Sequence, residues 1–504
     1  MMNVQSILTA THLFNNYRMI NCMIKRVLFF VIVLSSFVVS VFSETEIHRK
    51  EPLPQTTRPN ILLIIADDLT YRDLGCYGSV NVKTPHIDSL ASEGMKFLHC
   101  YNAIAMCVPT RNMLYTGLYP LRTGSYRNHT NSRPGTVSMI PYFTQLGYRV
   151  GLAGKVHVGP PQSFPFESVS GLTANCVSAT DDYSYEPIKE FITRDRNQPF
   201  FLVTAFIQPH VPWTMGNPET FNPEQLDLPP HWADTPQTRQ SYAKYLAEVV
   251  FLDRQVGELL HLFDESGLRN NTIVLFLSEQ GAQFPGAKWT CWEQGLHAGM
   301  IIRWPGIVKP ESQSSALVQY VDIVPTLLDI AKSIPENESI KKYVTKSKTS
   351  YNLDRIDFDG KSFLNVLLGQ TSEHGKYAYG IHNNIPEGPR YPIRSVRTKD
   401  FSYIRNLLPN EQYIVKFVQK NPKQPYYPSW RVAAEHNDQR AVQAIRRNEF
   451  RTEEELYDLK NDPWEMHNLI NSPEHHEILN ELRKALDDWM KQQGDPGAEI
   501  DVPI

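Results

Sequence analysis

Long apolar segments of this chain end in polar side chains. The first, "PNILLIIADDL" at residues 59–69, is almost wholly apolar until it closes with Asp67 and Asp68. Unbroken apolar runs of this length are typical of strands buried on both faces of a parallel sheet. The same pattern recurs in three later segments, at residues 148–159, 199–213 and 271–281.

Helical segments separate these predicted strands. One begins at Thr84, and a longer one covers residues 242–267 with apolar side chains at three- and four-residue spacing. Strands alternating with helices predict an α/β fold with a large, mostly parallel sheet flanked by helices. Because ligands gather outside the carboxyl ends of such strands, we expect their polar residues to converge in one site.

The last part of the chain has a different pattern. Residues 391–407 indicate short antiparallel strands, and residues 475–494 indicate a closing amphipathic helix. A polar stretch at residues 333–350 predicts a surface excursion. We therefore expect an N-terminal catalytic domain at 58–375 and a smaller C-terminal α+β subdomain, with an antiparallel sheet, at 376–504.

The N-terminal segment has the features of an export signal. Lys25 and Arg26 precede the apolar run "VLFFVIVLSSFVVSVF", and Val41 and Ser43 are spaced like a signal-peptidase site. Residues 1–43 are therefore interpreted as a secretory signal peptide, which predicts a periplasmic or secreted protein. The alternative is an uncleaved anchor, because the run is nearly long enough to span a membrane. We expect no stable membrane insertion of the mature protein.

Charge and cysteine content narrow the classes of ligand. The net charge is -4, and removal of residues 1–43 would leave the chain more acidic. A nucleic-acid partner is therefore not expected, and an anionic substrate would need a local cluster of cations. Five cysteines follow residue 43. An odd number in an oxidising compartment leaves at least one thiol unpaired within the chain.

The adjacent carboxylates of Asp67 and Asp68 suit a hard cation. Beyond a strand end the chain can turn both groups onto one ion. Two carboxylates and an amide oxygen are the oxygen ligands that Ca²⁺ or Mg²⁺ prefers. Taken alone, such a pair also fits a cap or a turn.

Several cationic or hydrogen-bonding groups lie at the same predicted edge, and each alone also fits a surface charge or a satisfied histidine. Together they describe a tetrahedral-anion site beside a metal ion, in which cations neutralise a transferring sulfuryl or phosphoryl group. These residues are Arg111, Lys155, His157, His210 and Lys288.

Cys107 stands at a predicted helix start, within "CVPTR" at residues 107–111. A helix N-terminus, Arg111 and a metal would favour its thiolate, so thiol catalysis is conceivable. A thiolate is nevertheless a poor ligand for a hard ion, and the usual Cys/His protease context is absent.

The segment from Cys107 to Arg111, followed by Thr116 and Gly117, resembles the Cys-x-Pro-x-Arg signature of the type I, formylglycine-dependent sulfatases. Supporting motifs follow in the family's order, and the resemblance spans about residues 58–495. These motifs are "NILLIIADDL", "GKVH", "QPHVPW", "SEQG", "DGKSFLNVLLG" and "ELYDLKNDPWEMHNL".

The resemblance implies an alkaline-phosphatase-like fold and a cysteine oxidised after synthesis to an aldehyde by a formylglycine-generating maturase. It implies one Ca²⁺ held by Asp67, Asp68, the modified Cys107 and the strand-end pair Glu279 and Gln280. The hydrated aldehyde at residue 107 would attack sulfur and later expel sulfate without a separate water attack.

The resemblance also implies roles for the surrounding side chains. His210 or Lys288 would assist the leaving oxygen, and His157 would aid deprotonation. Arg111 and Lys155 would orient the diol.

The strand-end pair departs from the family pattern. Asp followed by Asn or His is usual where this chain has Glu279 and Gln280, and each of these is one methylene longer. We expect the longer side chains still to reach the ion, with a coordination geometry that the family pattern does not define.

The segment "QFPGAKWTCWEQGLHAG", with Lys288 nine residues beyond Glu279, resembles the branch that includes heparan N-sulfatases and related bacterial glycan sulfatases. That resemblance suggests a sulfated sugar as substrate. Aromatic faces and cations suit such a ligand, although each candidate also fits a structural role. The candidates for substrate binding are Trp213, Trp289, His382 and Arg394.

Three other functions remain open. One is hydrolysis of sulfamates in place of sulfate esters, and the second is a phosphatase or phosphodiesterase on the same scaffold. The third is a non-catalytic glycan-binding relative with a decayed metal site, which only Glu279 and Gln280 favour.

Overall fold

The central strand of the fold follows the first apolar run. A computed structural model describes residues 58–177, 183–334, 338–344, 350–421 and 423–502. In it, Asn60–Ala66 forms β1, and all of its residues are buried. It pairs in parallel with one strand on each side. This confirms the prediction of a strand covered on both faces.

Eight strands form the large sheet in the described part of the chain, in the order β4-β3-β5-β1-β6-β7-β2-β8. Pairing within it is parallel except where β7 meets β6 and β2. Its strands are β1 (Asn60–Ala66), β2 (Met95–Tyr101), β3 (Arg149–Gly154), β4 (Glu167–Val169), β5 (Phe200–Phe206), β6 (Thr272–Ser278), β7 (His297–Arg303) and β8 (Ser312–Gln319).

A smaller antiparallel sheet lies in the C-terminal part, in the order β12-β11-β10-β9. Its strands are β9 (Ala378–His382), β10 (Ile393–Arg397), β11 (Phe401–Asn406) and β12 (Glu454–Asp458). The antiparallel pattern read from residues 391–407 is confirmed by β10 and β11. The boundary at residue 376 between two domains stays a prediction.

The helices lie between and after these strands. They are α1 (Pro85–Ser92), α2 (Cys107–Thr116), α3 (Pro120–Thr123), α4 (Met139–Gln145), α5 (Glu186–Thr193), α6 (Pro236–Glu265), α7 (Glu293–Leu296), α8 (Ile323–Ser333), α9 (Glu338–Lys341), α10 (Leu364–Leu367), α11 (Lys416–Gln419), α12 (Tyr426–Glu435), α13 (Gln439–Glu449) and α14 (His476–Gln493).

The long helix α6 begins six residues before the apolar spacing indicated. Thr235 accepts a hydrogen bond from the Thr238 amide, and Pro236 occupies the first helical position. A capping hydroxyl followed by proline starts a helix without apolar periodicity. The first turns are therefore set by local backbone chemistry, which a search for apolar spacing does not detect.

The helical pair α12 and α13 was not predicted. Helix α12 packs on α6, where Trp430 Nε1 donates to Thr238 Oγ1 at 2.8 Å and Thr235 Oγ1 lies 2.7 Å from Ser429 Oγ. The two helices fill the connection between β11 and β12, so this insertion joins the small sheet to the helical layer of the large one.

Two predicted segments lie wholly or partly outside the described residues. The proposed signal peptide lies outside them, and so do residues 335–337 and 345–349 of the predicted surface excursion. Among the residues that are described, no helix is both long and apolar enough to cross a membrane.

Candidate active site

Two neighbouring strands bring the carboxylates together. Ala66 of β1 pairs with Ser278 of β6, so Asp67 and Glu279 follow at the same level of the sheet edge. The Glu279 amide donates to the Ala66 carbonyl at 2.9 Å. This confirms the prediction that strand ends gather polar residues at one edge.

Asp68 adopts an unusual backbone conformation. Its φ angle is 60°, in the left-handed region that residues other than glycine rarely adopt. Adjacent residues of a regular strand point to opposite faces, and this turn lets the Asp68 side chain join that of Asp67. Ligand atoms of Asp67, Asp68, Cys107 and Glu279 all lie within 4.8 Å of one another.

Cys107 is the first residue of α2 and is buried against these carboxylates. Its Sγ lies 3.4 Å from Asp67 Oδ1, 4.0 Å from Asp68 Oδ1 and 3.4 Å from Gln280 Nε2. Burial, followed by the charge of Asp67, raises the pKa of the Cys107 thiol well above its usual range. Burial beside Asp67 thus opposes the thiolate. The expectation that the helix N-terminus, Arg111 and a metal together favour it stays a prediction.

Each of three cations is paired with one of the three carboxylates. Lys155 Nζ bonds Asp67, Lys288 Nζ lies 2.6 Å from Asp68 Oδ2, and Arg111 Nε lies 2.7 Å from Glu279 Oε1. We call these six residues, together with Cys107 and Gln280, the polar cluster.

Every side chain of the polar cluster is at most 3% exposed. Burial opposes ionisation of Lys155 and Lys288, but their anionic partners raise the pKa of each ammonium. Likewise, Lys155 overcomes the effect of burial and lowers the pKa of Asp67. Lys155 and Asp67 thus keep each other charged in a dry environment, where fixed charges act strongly on a bound anion. At Glu279, burial outweighs the charge of Arg111 and raises the pKa of the carboxyl group to about 8.

Two histidines border the polar cluster. His210 Nε2 lies 3.5 Å from Asp68 Oδ2, and burial lowers the pKa of His210 to about 4. Burial and then Lys155 lower the pKa of His157 to about 2. His157 Nδ1 is buried and has no hydrogen-bond partner among the described residues. Both rings are therefore neutral near pH 7 and have a nitrogen that can accept a proton.

The donor set of the polar cluster suits a hard cation. Three carboxylates and one amide oxygen are the ligand types that Ca²⁺ and Mg²⁺ prefer. Gln280 Oε1 is buried and accepts no hydrogen bond within the described part of the chain. Its amide nitrogen donates to Asp68 Oδ1 at 2.6 Å. Glu279, although one methylene longer than the usual family residue, lies among the carboxylates of this cluster. That Glu279 and Gln280 both reach an ion stays a prediction.

Trp289 and Trp213, expected to bind substrate, lie in different settings. Trp289 is 2% exposed, and Lys288 Nζ lies 4.9 Å from the centre of its ring. The ring of Phe417, 36% exposed, stacks on Trp289 with centroids 5.9 Å apart. Trp213 is half-buried and stacks on Phe284. Phe417, from the connection between β11 and β12, therefore covers the indole ring that lies beside Lys288.

The other two expected substrate-binding residues lie inside the second sheet. His382 is buried, and its Nε2 lies 3.2 Å from Asn384 Oδ1. Arg394 is fully buried, pairs with Asp495, and all three of its side-chain nitrogens donate to protein oxygens. No hydrogen bond or ion pair joins either residue to the polar cluster in the described ranges. Their contacts are those of structural residues, and a role in binding stays a prediction.

Cys176 was not assigned to the site from the sequence. Its thiol, together with ligand atoms of Asp67 and His210, falls within a 4.8 Å group. None of the five cysteines in the described residues forms a disulfide. The only signal in the sequence was the odd number of cysteines, which did not say which thiol would face the site.

Comparisons with known proteins show which family the chain belongs to. A family model described as Sulfatase matches residues 59–333. An ulvan-active sulfatase of Formosa agariphila is 31% identical over 461 residues, which cover 89% of this chain and 83% of the relative. The N-sulphoglucosamine sulphohydrolase of Homo sapiens is 27% identical over 479 residues, covering 87% of this chain and 91% of that protein.

Solved structures share the fold. One is described as a complex with its substrate D-glucosamine-2-N,6-O-disulfate; it has a TM-score of 0.64 at 22% identity and covers 87% of this chain and 99% of that chain. The architecture is the alkaline-phosphatase-like fold, with a large mixed sheet, surrounding helices and a separate small antiparallel sheet. By its family match and its relatives, the chain belongs to the sulfatase family and is a sulfuric ester hydrolase.

Proposed function

We propose that this sulfatase removes sulfate ester groups from a sulfated polysaccharide or oligosaccharide, using a formylglycine made from Cys107 and one bound calcium ion. The observation that carries the proposal is the position of Cys107. Its Sγ lies 3.4 Å from Asp67 Oδ1, inside a buried set of three carboxylates and three cations. A sulfate group placed against this residue would meet fixed positive charge on several sides.

The saccharide substrate is inferred from the relatives. One relative at 31% identity is named for activity on ulvan, and a human relative is named for N-sulphoglucosamine. Both align over more than four fifths of this chain. We favour a sulfate ester over a sulfamate because the relative with the higher identity of these two is the ulvan-active one.

The polar cluster fits the two groups that the proposal requires. Asp67, Asp68, Glu279, Gln280 and the modified residue 107 would hold the calcium ion. When present, the ion and the aldehyde hydrate would supply positive charge and a nucleophilic oxygen at sulfur. Formation of the aldehyde requires a maturase, which is a proposed partner.

The remaining side chains orient the sulfate and move protons. Lys288, from the loop after β6, and Lys155, from the end of β3, approach residue 107 from two elements. Their ammonium groups can each donate to a sulfate oxygen, and Arg111 fixes Glu279 and the Lys155 carbonyl. His157 and His210, both neutral near pH 7, can take up a proton released at residue 107 or beside it.

The N-terminal segment supports export. A basic start, an apolar run and small residues at a cleavage position are the parts of a secretory signal, and residues 1–43 have all three. We therefore propose that the mature enzyme acts in the periplasm or outside the cell. Large sulfated polysaccharides are encountered there, which agrees with the proposed substrate.

The experiment compares sulfate with phosphate, and then polymers with one another. Protein co-expressed with a maturase is assayed on 4-nitrophenyl sulfate and 4-nitrophenyl phosphate, and then for sulfate release from ulvan and heparan sulfate. We expect cleavage of the aryl sulfate and sulfate release from ulvan. The Cys107→Ala variant, prepared in the same way, is the matched control. Preference for the phosphate would contradict the proposal, as would release of sulfate from neither polymer.

A further inference from the structure

A cleft outside the polar cluster has the chemistry of a binding site. It has a volume of about 430 Å³ and lies between the turns after β1, the loop before α6, and Trp464. This volume is in the range of small-molecule sites. None of its lining residues belongs to the polar cluster. Those that matter here are Arg72, Asp73, Trp232, Tyr242, Gln294 and Trp464.

A layer of stacked aromatic rings forms one side of this cleft. Phe284 stacks on Trp232, which lines the cleft, with centroids 4.4 Å apart. On its other side Phe284 stacks on Trp213, three residues after His210, at 4.8 Å. The cleft therefore has walls of its own, and its aromatic side continues through Phe284 to Trp213.

The cleft contains hydrogen-bonding groups that the protein leaves unused. Gln294 is 5% exposed, and its Nε2 has no partner among the described residues. The buried Nε of Arg72 also has none in that part of the chain. Buried donors are nearly always satisfied, so two of them around one cavity indicate a ligand that supplies acceptors.

The remaining wall defines the kind of ligand. Asp73 supplies a carboxylate that accepts a hydrogen bond from Tyr242, and Trp232 and Trp464 supply apolar faces. A ligand that fills this space must donate and accept hydrogen bonds at its edge and cover aromatic rings with its faces. A pyranose ring has hydroxyl groups at its edge and C–H groups on its faces, which matches both demands.

We propose that this cleft is an accessory saccharide site that binds a sugar unit of the polymer whose sulfate is hydrolysed at the polar cluster. The inference rests on the proposed function for the identity of the polymer. Occupation of both sites by one chain would strengthen binding of long substrates, because the second contact becomes intramolecular. Short substrates would gain nothing from the cleft.

The test measures binding and turnover separately. Calorimetric titration of full-length protein with chemically desulfated ulvan oligosaccharides reports on the saccharide without the sulfate. Gln294→Leu removes the unpaired donor at similar volume, and Trp464→Ala removes one aromatic wall. Phe450→Ala, which removes an exposed aromatic ring that does not line the cleft, is the control. Because each cleft variant loses one polar or aromatic contact, we expect its affinity for the desulfated oligosaccharides to be about fivefold lower. Its kcat/KM for 4-nitrophenyl sulfate should be unchanged.

The possible failures can be told apart. If wild-type protein does not bind the oligosaccharides, or if both cleft variants bind like Phe450→Ala, the accessory site is wrong while sulfate hydrolysis stands. If wild-type protein hydrolyses no sulfate ester, the proposed function itself fails. If KM rises equally for ulvan and for 4-nitrophenyl sulfate in the cleft variants, the accessory site is overturned, because a small substrate cannot reach both places.

Discussion

Arg111 donates to both carboxylate oxygens of Glu279, at 2.7 and 3.3 Å, and neither side chain is exposed to solvent. The pair joins the first turns of α2, which begins at Cys107, to the end of β6. It therefore fixes residue 107 against the sheet edge. A bidentate, buried pair of this kind is sensitive to the loss of either partner.

At pH 9, above the pKa of about 8 to which burial raises Glu279, the Glu279→Gln variant leaves the Arg111 guanidinium buried without this countercharge. We expect its free energy of unfolding to fall by about 3 to 5 kcal/mol, the usual cost of breaking a buried pair. Glu279→Asp keeps the charge and should lose less. Urea unfolding measures both, with the exposed Glu435→Gln as control. A midpoint equal to that of the control would show that the pair does not hold the site together.

Calcium should stabilise the folded protein, because the proposed ligands converge only in the native state. At a calcium concentration 100 times the dissociation constant, one site adds about 2.7 kcal/mol to the free energy of unfolding. Differential scanning calorimetry with and without a chelator measures this. Gln280→Leu removes the unpaired amide oxygen and should reduce the shift in melting temperature. An identical melting temperature in calcium and in chelator would contradict the metal assignment.

Glu248, which is not part of the polar cluster, predicts a pH dependence of stability. Its carboxylate is buried and accepts hydrogen bonds from the Thr214 and Met215 amides, both at 2.6 Å. Burial raises the pKa of Glu248 from 4.5 to about 7. The folded state thus keeps a proton that the unfolded state releases near pH 4.5, so stability falls as the pH rises from about 4.5 to 7.

The Glu248→Gln variant should remove this contribution while keeping the amide acceptor. The shift corresponds to an upper limit on the order of 3 kcal/mol. The free energy of unfolding of the variant minus that of wild type should be more positive at pH 8 than at pH 4.5, by a measurable part of that figure. Urea unfolding at the two pH values tests this, and a difference independent of pH would refute the assignment.

Cys176 should make the enzyme sensitive to thiol reagents even after Cys107 has been converted. Its half-buried thiol lies within the 4.8 Å group that contains Asp67 and His210. Alkylation by iodoacetamide would fill this space and remove most of the activity. Burial raises the pKa of the thiol, so inactivation should accelerate as the pH rises. Cys176→Ser should resist the reagent and Cys76→Ser should not; equal sensitivity of the two would contradict this.

Strand ends were the most predictable part of the molecule. The apolar run that ends in Asp67 is β1, and the run that ends in Glu279 is β6. Their parallel pairing brings both carboxylates to one edge because the side chains follow paired residues. Burial on two faces leaves a clear apolar signal, so this part of the site follows from pattern and topology.

Other features depend on contacts between distant residues and could not be predicted. The left-handed conformation of Asp68 has no local signal such as glycine. Phe417 lies more than a hundred residues from Trp289, yet its ring covers the indole and takes the exposed position. The guanidinium of Arg111 was expected to face an oxyanion, whereas in the fold it forms an ion pair with Glu279. Such pairings are decided by packing that sequence spacing does not encode.

Sulfate release by wild-type protein and by Cys107→Ala is the most direct test of the central claim. Both proteins are co-expressed with a maturase and assayed on 4-nitrophenyl sulfate. The mass of the peptide that contains residue 107 is measured by mass spectrometry. We expect wild-type protein to release sulfate and to show the mass decrease for conversion of a thiol to an aldehyde. Cys107→Ala should fold and release none. Full activity in Cys107→Ala would contradict the claim.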